Sequence, residues 1–123
     1  MFVQRDFLLR QIEMAAVGLA KLVAGARPED ELDPVEVAQA AGLGLDIAAS
    51  LPPDTVATLV ERDGRRLLVL GLALGRQAWA DGDRAKARQA LALLDRALNG
   101  PDPAPPSADL IAAQQGLLTL AFG

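Results

Sequence analysis

The chain is 123 residues long, enough for one domain whose core buries about two-thirds of the unfolded surface. Half of it is apolar (51%) but only 3% is aromatic, and Ala and Leu dominate, a composition that favours helix over sheet. The absence of Cys, His and Tyr excludes disulfides, thiolate or imidazole metal sites, nucleophilic triads and imidazole acid/base catalysis, while a net charge of −4 argues against nucleic-acid binding.

Asp6 is placed as the N-cap of a first helix, residues 6–25, with Leu8, Ile12, Ala15, Leu19 and Leu22 on its inner face. Arg10, Glu13 and Lys21 form a narrow outer stripe flanked by Phe7, Met14 and Val17. The apolar surface is thus wider than one neighbour covers, which fits core packing or a shared oligomer interface. Those three charges interrupt the apolar run and argue against a signal peptide, and their mixed sign against a membrane-surface helix. The acidic stretch from Arg27 to Pro34 lacks the ligand order and central glycine of a calcium loop. Asp33 reads instead as the N-cap of a second helix from Pro34 to Ala41, with Val35, Ala38 and Gly42 inward.

Gly42-Leu43-Gly44 is a flexible break, not a phosphate loop, because it lacks both a following lysine and a preceding strand. Leu45 to Leu51 reads as a short turn of helix. Pro52-Pro53 sets a boundary, and a helix from Asp54 to Arg62 follows with Val56, Leu59 and Val60 inward. Asp63-Gly64 is the expected turn into the central helix, Arg65 to Ala80. That helix carries two apolar lines, Leu67, Leu70, Gly71, Leu74, Ala78 and Leu68, Leu72, Gly75, Trp79, so it must be covered on two sides. Gly71 and Gly75 each cost about 1 kcal/mol relative to alanine, which predicts a neighbouring helix in close approach over them. The apolar run is too short to cross a bilayer. Arg62, Arg65 and Arg66 are the one tight basic cluster and read as a solvated helix end or as local ion pairs with Glu61 and Asp63.

Gly82 is suited to a left-handed cap and Asp83 to an N-cap, so an amphipathic helix from Arg84 to Leu98 returns antiparallel, with Ala87, Ala90, Leu91, Leu94 and Leu98 on one face. Within this hairpin, 65–99, Leu74-Gly75, Gly82-Asp83, Ala87 and Leu91 stand at the spacings of a tetratricopeptide repeat, which the hairpin resembles. The repeat's tryptophan, tyrosine, late alanine and closing proline positions carry Gly71, Ala78, Leu94 and Asn99 here. Arg5 to Glu13, together with Gly44-Leu45-Asp46 and the hairpin, is also similar to a family of small bacterial all-helical proteins of uncharacterised role. That resemblance implies an all-helical, repeat-like fold and carries no activity, cofactor or catalytic residue with it.

The proline-rich segment 100–106 reads as a semi-rigid connector. Ser107 caps a last helix, 107–122, whose only charge is Asp109. Its apolar residues Leu110, Ile111, Leu117, Leu118 and Phe122 are the candidate interaction surface. Such a helix must be covered, either by folding back onto its own chain, which is the expectation favoured here, or by crossing to a second chain.

The sequence therefore predicts an all-α bundle of five to seven helices in one domain, with a cytoplasmic location and no catalytic, cofactor or metal residues. Its expected role is a non-catalytic interaction or scaffold domain that binds a protein partner, itself included, with no nucleic acid and no membrane. A small-molecule module with a cavity between the first, central and last helices is the alternative. A carboxylate-dependent metal enzyme would require Asp and Glu side chains to converge.

Overall fold

The computed structural model describes residues 2–26, 33–100 and 107–123, with side chains from Leu9 onward in the first segment. The described residues are all-α and form seven helices: α1 (Phe2–Val23), α2 (Pro34–Ala40), α3 (Leu45–Ser50), α4 (Pro53–Leu59), α5 (Gly64–Asp81), α6 (Arg84–Leu98) and α7 (Ala108–Phe122). The acidic stretch 27–32 and the connector residues 101–106 lie outside the described residues.

Local chemistry fixes most of the helix ends. Asp33, Asp63, Asp83 and Ser107 each turn a side-chain oxygen onto the first backbone N–H groups of the helix that follows. The first helix starts at Phe2, earlier than the expected cap at Asp6. It ends in a Schellman motif in which Gly25 takes φ +83°, its N–H reaches the Leu22 carbonyl, and the Ala26 N–H reaches Lys21. The fourth helix stops at Leu59, three residues short of the expected Arg62, because Glu61 and Arg62 both adopt left-handed φ (58° and 56°). That conformation is costly for non-glycine residues. It is held by Glu61 N–H to Thr58 and Arg62 N–H to Ala57, and it reverses the chain while Val60 stays buried. The expected turn residues Asp63 and Gly64 are instead the cap and first residue of α5.

The α5–α6 hairpin is the middle layer. One side is covered by α1 and α7, the other by the short helices, with α2 and α3 on α5 and α4 on α6. Every residue of α5 from Leu67 to Gly75 is consequently buried, which meets the requirement that two apolar lines be covered on two sides. Both glycines sit at close approaches. A Cβ on Gly71 would stand 2.9 Å from Leu94 Cγ and 3.3 Å from the Ala90 carbonyl oxygen of α6. On Gly75 it would stand 2.7 Å from Leu117 Cδ1 of α7 and 3.3 Å from Leu19 Cδ2 of α1. Trp79 packs half-buried against the core.

The short helices depart from the expected inner faces. On α2, Val37, Ala38 and Ala41 are buried while Val35 is 43% exposed, and Gly42 lies at the surface. The phase of α2 is set by its packing on α5, with Arg66 Nε donating to the Ala41 carbonyl at 2.7 Å. The third helix is a packed element, with Leu45 and Ala48 buried. On the α4 segment the i,i+4 pair Val56 and Val60 faces the core, which leaves Leu59 to one side and 48% exposed. Gln89 of α6 ties the short helices down, its amide nitrogen donating to Ala48 O (3.0 Å) and Leu51 O (2.6 Å) at the end of α3. Arg96 Nε meets Asp54 Oδ1 at 2.7 Å, and the Arg96 guanidinium, by hydrogen bond and charge, holds the Asp54 carboxyl below its ordinary range.

Candidate interaction surface

The last helix begins where Ser107 Oγ accepts the Leu110 N–H at 3.1 Å, and it continues to Phe122 with Gly116 in its interior. Large apolar residues stand on more than one side of it, so its sequence alone does not show which side turns inward. Packing decides. It lies between α1 and α6, with Leu110, Ala113, Gly116, Leu117 and Ala121 buried. Gly116 permits the contact with α1, because a Cβ there would fall on both methyls of Val23 and 2.9 Å from its Cβ.

This placement corrects the candidate surface. Leu110 (2% exposed) and Leu117 (0%) belong to the core; Leu117 fills the junction of α1, α5 and α7 against Gly75. Ile111, Leu118 and Phe122 remain outside, at 47%, 48% and 69% exposure. With Gln115, also exposed, they stand four, three and four residues apart and form one line on the outer side of the helix. On the adjoining α1, Met14 (39%) and Val17 (36%) are exposed as well. Apolar side chains thus stand exposed on both helices, beside Gln115 and Thr119 on α7 and Arg10 and Glu13 on α1.

Arg88 of α6 closes one end of the line. Its guanidinium carbon lies 5.5 Å from the centroid of the Phe122 ring, and its Nη2 donates to the Ala121 carbonyl at 3.2 Å. One side chain thus caps an orphan carbonyl of the last turn and orients the most exposed aromatic residue. Periodicity could not reveal this contact, which joins residues 33 positions apart.

Among the described residues no polar or charged residue is fully buried, and no group of three or more His, Cys, Asp or Glu is positioned to hold a metal ion. The Asp54–Arg96 pair is exposed, and it joins α4 to α6, neither α1 nor α7. No described helix is long and apolar enough to cross a membrane. No family model, curated protein or solved structure matches the chain.

Proposed function

We propose that this chain is a non-catalytic protein-interaction or scaffold domain of the bacterial cytoplasm, a helical hairpin of tetratricopeptide-like spacing buttressed on both sides, working by contact through the outer line of α7. The observation that carries this reading is the division of α7. The side that secures the fold is sealed by Leu110, Leu117 and Ala121, yet Ile111, Leu118 and Phe122 stay open to solvent in register with one another. A helix needing only to cover a core would gain solubility from polar residues on that outer line. Aromatic and aliphatic anchors on a rigid helix are the groups that dominate protein contacts.

The alternative, a small-molecule module, is less well supported. Ligand pockets need a few convergent polar anchors in an apolar cavity. Where the first, central and last helices meet, Leu19, Gly75 and Leu117 are in close contact, and no polar residue is fully buried among the described residues.

A photo-reactive amino acid at Leu118, compared in cells with one at the exposed Gln39 of α2, tests the proposal. Covalent protein adducts are expected at Leu118 alone, and they should disappear when Ile111→Gln and Phe122→Gln are added. Equal labelling at both positions, or none at Leu118, would remove the reading.

A further inference from the structure

We infer that α2, α3 and α4 form a hinged cover that opens as one unit, leaving a four-helix bundle folded beneath it. The four long helices close on themselves, α1 packing on α5, α5 on α6, α6 on α7 and α7 on α1. The eight leucines at 0 or 1% exposure all lie on these four helices, so the bundle supplies the large side chains of the core. The short helices have the opposite character. At seven, six and seven residues they fall below the length of about 12 at which a helix begins to hold its own shape in water. Between residues 33 and 63 the buried side chains are three alanines, three valines and Leu45. Small side chains bury little area, so polar clips carry a larger share of the attachment.

Each short helix is clipped by a side chain of the α5–α6 hairpin. Arg66 Nε holds the Ala41 carbonyl at the end of α2, and its guanidinium lies over Gly42, where a Cβ would meet Nη2. Gln89 holds the Ala48 and Leu51 carbonyls at the end of α3, and Arg96 holds Asp54 of α4. Arg66 and Gln89 thus serve carbonyls that a helix C-terminus leaves unpaired. The three helices are also coupled to one another. The middle one, α3, packs on both α2 and α4, and Gln89 grips the chain immediately before the Pro52-Pro53 entry to α4.

The hinge is the turn between α4 and α5. Glu61 and Arg62 are consecutive non-glycine residues at left-handed φ, a conformation that persists only where the surrounding structure imposes it. Here the docking of α4 through Val56 and Val60 imposes it, so strain is stored while the cover is shut and released when it lifts. Opening bares the side of α5 and α6 that the clips mark. Leu70 and Ala73 follow Arg66 by four and seven residues, and Leu93 stands between Gln89 and Arg96 at the same spacings.

Native-state amide hydrogen exchange of the full chain, followed residue by residue, tests the cover. The protected amides of α2, α3 and α4 should share one opening, at least about tenfold more populated than the opening that exposes α5 and α6. Gln89→Ala should accelerate exchange about five- to thirtyfold, and by the same factor in α2, which Gln89 does not touch, as in α3. Arg66→Ala, which frees the end of α2, should in turn accelerate α3 and α4 as much as α2. Glu61→Gly, which relieves the left-handed turn, should slow the same opening about fivefold. Exchange of α2 to α4 only together with α5 and α6 would overturn the cover, as would acceleration confined to the helix whose clip is removed. An opening unchanged or accelerated by Glu61→Gly would overturn the strained hinge.

Discussion

Replacing Gly116 by alanine tests the docking of α7 most directly. In an isolated helix the change would stabilise by about 1 kcal/mol, because glycine is the poorer helix former. In this fold the new methyl group would overlap both Val23 methyls and lie 2.9 Å from Val23 Cβ. A Cβ cannot be moved by choosing another rotamer, so α1 and α7 must separate. Overpacking of this kind costs about 1 to 3 kcal/mol, and against the propensity gain the net effect is a destabilisation of up to about 2 kcal/mol. For a domain of this size that lowers the thermal midpoint by several degrees, on the order of 3 to 5 °C per kcal/mol. The assay is thermal and urea unfolding followed by circular dichroism, completed as a double-mutant cycle with Val23→Ala. Removing the two Val23 methyls should return much of the loss, with a coupling energy of about 1 kcal/mol or more between the sites. If Gly116→Ala alone is as stable as the wild type or more so, and the two changes are additive, α7 does not rest on α1 as described and the division of its surface loses its basis.

Gln89→Ala strips the Ala48 and Leu51 carbonyls of their shared donor, and a loss of about 1 to 2 kcal/mol in chemical denaturation is expected, where Asn99→Ala, at the surface, should change stability by less than about 0.5 kcal/mol. Arg88→Ala removes both the ring contact with Phe122 and the hydrogen bond to Ala121; amide exchange in the last turn of α7 should accelerate while α5 and α6 remain protected. The Asp54–Arg96 pair sets a pH dependence. Arg96 holds the folded-state pKa of Asp54 below its ordinary 3.8, so the pair contributes above that value and its contribution is lost as pH falls through the folded pKa. Asp54→Asn should therefore lower stability slightly at neutral pH, with a loss that shrinks as the pH falls below 3.8, as urea titrations at a series of pH values will show; a loss of equal size at every pH would refute the electrostatic account.

What the chain determines by itself is the set of elements and most of their ends. Aspartate, serine, proline and glycine at Asp33, Pro34, Gly82, Asp83 and Ser107 act through hydrogen bonds or backbone constraints within a few residues, and the structure places each at the helix end it marks. The burial of α5 was legible for a related reason. Its two apolar lines and two interior glycines permit no stable arrangement except one with helices close on both sides. Facing was not legible where a helix is short or carries large apolar residues on more than one side. Over seven residues the period is ambiguous: Ala38, Val56 and Val60 are buried as expected, while the packing of α2 on α5 and of α4 on α6 leaves Val35 and Leu59 exposed. Along α7, Leu110 and Leu117 form one line and Ile111 and Leu118 the next, with equal hydrophobicity. Only the partners distinguish them. Gly75 and Gly116 leave room for the first line against α5 and α1, whereas Ile111 and Leu118 are left at the surface, and that difference exists only once the helices are packed.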